Sequence, residues 1–286
     1  MGVILFQNIL ATALLVIFVS STEATALAAT PVCKSKTIDG ITTDFCFQKP
    51  DTESDTLLVF FHGIYGNEKK WFNDSKFTEL SKTMKSKGLT PWVVTISYGG
   101  TWLLTETNTS KQLFHHTMDL ALPAIIQDVH PEAFAKKFLM GYSMGGLNAS
   151  QVLLKRPELF DKYVLISPAI TPVGPFSNKE EVKDYIKRTE AVPFLINMLI
   201  NIGHKNFKTQ EEWDQHSPLV VVAKQARTVP PVYLSAGNHD QYGFDEGSNL
   251  FSLAIAPFSS YSVWMPVPNG DHMDLDAPSV TDFLLH

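Results

Sequence analysis

The segment Gly141-Tyr142-Ser143-Met144-Gly145-Gly146 follows an apolar run and precedes a helical pattern. Glycines two residues before and two residues after a serine make a sharp turn that exposes the hydroxyl and lets a helix and a strand approach closely. The N–H of Met144, at the start of the helix, points into the same space. A lone Gly-x-Ser-x-Gly pattern occurs by chance, and its setting between a strand and a helix is what makes it chemically meaningful. The chemistry in question is nucleophilic attack by Ser143 on an acyl carbon.

A serine hydroxyl is a poor nucleophile unless a base takes its proton and a third group holds that base. Asp240 lies just beyond a late apolar stretch, where catalytic groups collect in open parallel sheets, and it is the expected acid. Asp245, further into the same loop, is the alternative. His272 follows the last apolar stretch and is the expected base, with Gly270 allowing the loop to bend over the serine. Of the other histidines, His62 precedes Gly63 in an earlier turn and reads as a brace. His239 would point away from the site. His115, His116 and His130 read as positions on an exposed helix face. A tetrahedral intermediate also needs a second N–H donor, and losing one such donor costs roughly 3–4 kcal/mol. The turn at Gly63 supplies it through Ile64, with Tyr65 as second choice.

These groups need a frame. Apolar strands are expected at 55–63, 90–100, 136–143, 160–169, 230–237 and 260–267. Helical spacing falls between them, at 67–88, 112–131 (with Pro123 near a kink), 145–157, 246–256 and 277–286. Apolar strands alternating with helices imply an α/β fold with a mostly parallel central sheet and helices on both faces. The chain has 286 residues, 44% of them hydrophobic, enough for one full-sized domain, expected over 29–286. Its net charge of −6 argues against nucleic acid, which calls for a basic face.

Residues 1–28 read as a secretory signal peptide: an uncharged apolar stretch, then small residues in an Ala-x-Ala pattern. No Lys or Arg precedes the stretch, and an uncleaved anchor helix is the competing reading. With the leader removed, no stable membrane insertion is expected. Asp39-Gly40 is a type I′ turn signal, and counting outward from it places Cys33 opposite Cys46 at a non-hydrogen-bonded pair, within disulfide range. A disulfide there fits a secreted or periplasmic protein. Asn73, Asn108 and Asn148 begin glycosylation sequons, with Asn148 expected to be too buried for a glycan.

The His-Gly-Ile-Tyr-Gly run at 62–66, the serine turn, an aspartate after the next-to-last strand and a late histidine together resemble an α/β-hydrolase. The resemblance covers 55–286 and is strongest to the esterase group that includes esterase D (S-formylglutathione hydrolase) and the mycolyltransferases. It implies a serine carboxylic-ester hydrolase needing neither metal nor cofactor. Ser143, Asp240 and His272 would form the triad, and Ile64 and Met144 the oxyanion pair. The substrate would be a small-molecule or lipid ester. An acyltransferase or peptidase on the same fold, or a binding protein without catalysis, are the alternatives. Segment 172–229 sits where such folds insert a lid, and its apolar stretch 191–204 would cover an acyl group. Tyr65, Tyr142, Trp102 and Trp71 are candidate walls of that pocket.

Overall fold

The computed structural model describes residues 30–106, 112–225 and 227–286. The leader 1–28 and Asn108 therefore lie outside the described residues. Eight strands form one sheet in the order β1-β2-β4-β3-β5-β6-β7-β8. They are β1 (Val32–Ile38), β2 (Ile41–Gln48), β3 (Thr56–Phe61), β4 (Trp92–Ser97), β5 (Lys136–Tyr142), β6 (Lys162–Ile166), β7 (Val232–Gly237) and β8 (Ser262–Val267). From β4 to β8 every pairing is parallel. The carboxyl ends of these six strands thus share one edge, and the loops following β3, β5, β7 and β8 emerge together.

The inner strands are apolar along their whole length because both faces of the sheet are covered. Alternate residues of β3 show this directly. Leu57, Val59 and Phe61 enter one core cluster, while Leu58 and Phe60 enter the other. Strands β1 and β2 form an antiparallel hairpin at the edge, and β2 continues antiparallel to β4. Asp39 and Gly40 both take positive φ, 50° and 75°, the backbone of a type I′ turn. This turn sets the register that pairs Cys33 with Cys46, and the two are joined in a disulfide.

Two helices differ in detail from their sequence patterns. The segment expected as one helix over 67–88 is divided into Lys70–Asn73 and Ser75–Ser86. Asp74 causes the break: its backbone is extended, and its carboxylate accepts the N–H of Lys76, capping the second helix. The helical region from Leu113 to Val129 contains a π-helical stretch, His116–Ala121, that ends two residues before Pro123. Proline has no N–H to donate and its ring crowds the preceding turn, so the ladder widens there. His116, expected on an exposed face, is buried, with ring nitrogens 3.1 Å from Tyr98 Oη and from the Ile38 carbonyl oxygen.

The helix Met144–Lys155 is buried from Met144 through Leu154, enclosed between the sheet and segment 172–229. That segment contributes four helices: Lys179–Thr189, Pro193–Asn206, Gln210–Asp214 and Pro218–Val222. It is tied to the loop after β7: Tyr185 Oη donates to the Tyr242 carbonyl at 2.7 Å, and the Val192 N–H to that of Gln241 at 2.9 Å. No helix among the described residues is long and apolar enough to cross a membrane.

Candidate active site

Ser143 sits at the sharp turn between β5 and the helix Met144–Lys155, with φ 55° and ψ −118°. A non-glycine residue at positive φ is strained, and such strain persists only where the surroundings impose it. Here the Ser143 N–H donates to the Ile166 carbonyl at 2.9 Å, while its own carbonyl accepts from Ala169 at 2.9 Å and Leu147 at 3.0 Å. The flanking glycines have a steric cause. A Cβ on Gly145 would lie 2.0 Å from the Phe61 carbonyl oxygen, and one on Gly141 would lie 2.1 Å from that of Gly145. Neither position accepts a side chain.

Parallel topology brings three distant residues to this point. His272, in the loop after β8, places Nε2 2.9 Å from Ser143 Oγ and Nδ1 2.8 Å from Asp240 Oδ2. A carboxylate can only accept, so Nδ1 carries the ring proton and Nε2 is free to accept the serine hydroxyl proton. Asp240 Oδ1 accepts the N–H of Tyr242 at 2.8 Å, which fixes the carboxylate plane. All three side chains are buried, Ser143 at 4% exposure, Asp240 at 2% and His272 at 6%, and bulk water does not screen their interaction. Asp245, the alternative acid, lies in the first turn of the helix Phe244–Ile255. Burial, aided by the Asp240 charge, raises its carboxyl above the usual range. His239 is exposed.

Ile64 and Met144 border the same cavity as Ser143. The Tyr65 N–H is committed to the Gly100 carbonyl at 2.5 Å, leaving Ile64 as the donor available from this turn. His62 holds the turn rigid. Its Nδ1–H donates to the Gly63 carbonyl at 2.7 Å, and Nε2 accepts from Ser97 Oγ at 2.9 Å and Trp102 Nε1 at 3.0 Å. Burial lowers the pKa of His62, favouring this neutral form. The Gly63 carbonyl and the Ile64 N–H belong to one peptide unit, so fixing the first orients the second.

The cavity beside Ser143 measures about 80 Å³. Its walls are apolar: Leu147, Ile196, Leu199, Ile200, Phe207 and Phe244 are among them. Three of these belong to the helix Pro193–Asn206, so the apolar stretch of 172–229 does face the serine.

The aromatic residues expected as pocket walls lie elsewhere. Trp102 is buried with its ring against Phe61, His62 and Tyr98, and its indole is spent on His62. Tyr142 lies behind His272, ring centroids 5.2 Å apart, with its hydroxyl donated to Met273 Sδ. Residue 142 is one step from Ser143 in the turn and faces the sheet's other core cluster. Burial, with a smaller contribution from the Asp240 charge, raises the Tyr142 pKa well above that of an ordinary tyrosine. Trp71 packs on Phe60 and Phe77. Tyr65 is 73% exposed and reaches Met198 Sδ at 3.5 Å, outside the cavity wall. The aromatic residues that do border the cavity near His272 are Tyr242 and Phe244, whose rings lie 4.6 Å and 5.4 Å from the imidazole. Tyr242 is two residues beyond Asp240, a position from which its N–H reaches back to the carboxylate in an Asx-turn.

A mostly parallel sheet with an antiparallel edge, with a serine turn after β5, an acid after β7 and a histidine after β8, defines an α/β-hydrolase. Solved structures of the same architecture include an S-formylglutathione hydrolase from Agrobacterium tumefaciens. It is 16% identical, with TM-score 0.66, covering 91% of this chain and 95% of that one. The thermophilic carboxylesterase EstE1, from a metagenomic library, is 18% identical with TM-score 0.65, covering 90% and 87%. The chain belongs to the putative esterase family, whose profile matches residues 43–254. Among curated proteins, Ethanol acetyltransferase 1 of Hanseniaspora uvarum is 29% identical over 171 residues, 54% of this chain and 47% of that protein. The chain thus spans about half the length of that relative.

Proposed function

We propose that this member of the esterase family is an exported serine hydrolase that cleaves carboxylic esters with an apolar acyl group. Ser143 Oγ attacks the ester carbonyl carbon as His272 Nε2 takes its proton. The N–H groups of Ile64 and Met144 accept the negative charge on the tetrahedral oxygen, aided by the positive end of the Met144–Lys155 helix. The C–O bond to the alcohol then breaks, His272 returns its proton to the departing oxygen, and the acyl group remains on Ser143. Water, deprotonated by the same imidazole, releases the acid and restores the serine. Asp240 keeps His272 in the competent tautomer and stabilises the imidazolium that forms twice per cycle.

The observation that carries this reading is the double hydrogen bond of His272, to Asp240 at 2.8 Å and, at 2.9 Å, to Ser143, which itself borders an apolar cavity. The Cys33–Cys46 disulfide supports export, because such bonds persist in oxidising compartments. Ser143→Ala should lower p-nitrophenyl butyrate hydrolysis by about 10⁴-fold or more with an unchanged thermal melt. Retained turnover would rule out Ser143 as nucleophile. The similarity to an acetyltransferase favours one second reading, in which an alcohol replaces water as acyl acceptor. Product analysis with added ethanol separates the two by the ratio of new ester to free acid.

A further inference from the structure

The apolar cavity shares wall residues with a neighbour. That second cavity, of about 130 Å³, is bordered by Pro172, Ser177, Gln210, Asp214, Leu219 and Val220 among others. Thr171, Gly174 and Trp213 border both cavities. Of these three only Trp213 has a large side chain, so its indole is the partition.

Trp213 sits on the short helix Gln210–Asp214 and is half-buried. Its ring meets Phe207, itself part of the inner wall, at 5.4 Å in an edge-on arrangement. It also lies flush on the backbone of Gly174: a Cβ built there would be 2.3 Å from the indole nitrogen. The glycine is therefore what lets the indole seat across the passage.

We propose that Trp213 is the chain-length stop of the acyl pocket, a specificity-determining residue that limits the substrate to short acyl chains. The inference rests on Ser143 being the acylated residue, as argued above. The inner cavity measures about 80 Å³, roughly half of the ~150 Å³ that takes one benzene ring, which is room for a chain of about three to four carbons. Within that length each added methylene should raise kcat/KM about fourfold, since burying one is worth about 0.8 kcal/mol. A longer chain meets the indole and gains nothing more. Without the indole the tail would pass into the outer cavity along apolar Pro172, Leu219 and Val220, which share its wall with polar Ser177, Gln210, Asp214 and Ser217.

The test is kcat/KM for p-nitrophenyl esters from acetate to dodecanoate, using the wild type, Trp213→Ala and Trp213→Leu, with thermal melts of each. The leucine keeps an apolar filler against Phe207 while opening the passage, and covers the case in which alanine fails to fold. The wild type should rise to about butyrate and gain nothing beyond it. Either variant should raise the decanoate-to-butyrate ratio by roughly 15- to 60-fold, two or three methylenes at about fourfold each. A folded variant with an unchanged ratio, or with the same fractional loss at every chain length, overturns the proposal while leaving the esterase reading intact. A wild type inert towards every ester overturns both.

Discussion

Replacing Asp240 with asparagine exchanges one carboxylate oxygen for an amide nitrogen at constant shape. The consequence follows from the two bonds the carboxylate now accepts, from Tyr242 N–H and from His272 Nδ1–H, both at 2.8 Å. The backbone N–H of Tyr242 can only donate, so the asparagine carbonyl must stay on that side. The amide NH₂ then faces Nδ1, which has to become an acceptor. The ring proton moves to Nε2, where it points at Ser143 Oγ and blocks the transfer that starts the reaction. A tautomer reversal of this kind costs about 10⁴-fold in kcat in serine proteases, equivalent to about 5 kcal/mol of transition-state stabilisation. Both hydrogen bonds survive with altered polarity, so the melting temperature should move by only a few degrees. Asp245→Asn is the control: the residue lies in the next helical turn and should change kcat by no more than about threefold. Steady-state hydrolysis of p-nitrophenyl butyrate measures both variants side by side. An Asp240→Asn enzyme keeping a tenth of wild-type activity, or an equal loss in Asp245→Asn, would refute the reasoning.

His216 is buried against Phe207 and Trp213, and among the described residues neither of its ring nitrogens has a hydrogen-bond partner. Burial, with the Lys155 charge second, holds its pKa down to about 3. The unfolded chain binds this proton below about pH 6.5 and the folded one does not, so this contribution is full at neutral pH and falls as pH drops towards 3. About 2 kcal/mol should be lost by pH 5, and His216→Phe should remove that share of the pH 7 to pH 5 difference in urea unfolding; an unchanged difference would contradict the burial argument. The Cys33–Cys46 bridge spans a sequence separation of 13 residues, and replacing both cysteines with serine should cost about 3 kcal/mol of stability. The hairpin lies at the far edge of the sheet from the site, so ester hydrolysis at 25 °C should persist; loss of activity in folded protein would show an unsuspected coupling.

Much of this architecture is legible in the residues because local chemistry and global position agree. The apolar runs become inner strands since both faces of the sheet are covered, and the Asp39-Gly40 turn fixes the hairpin register by itself. The serine turn is recognisable because Gly141 and Gly145 are sterically obligatory. What the sequence does not carry is side-chain direction within a turn. Tyr142 and Trp102 are aromatic residues near the serine, yet one lies behind the imidazole and the other is consumed in bracing His62. Their places at the cavity are taken by Tyr242 and Phe244, whose role depends on a loop conformation set by Asp240. The break at Asp74 was hidden for a related reason, since an aspartate inside a helical pattern reads equally as a surface residue or as a cap. The indole of Trp213 was equally hidden, because its partners Gly174 and Phe207 come from separate parts of the insertion.

The proposed mechanism requires that the acyl group be carried by one serine at a strained turn. Treating the enzyme with a fluorophosphonate and mapping the modified peptide by mass spectrometry tests it most directly. One adduct per chain is expected, on Ser143, formed in step with the loss of ester hydrolysis and much more slowly in Asp240→Asn. A hydrolysing enzyme that is inactivated with the label on another residue, or that stays active with Ser143 fully modified, would contradict it.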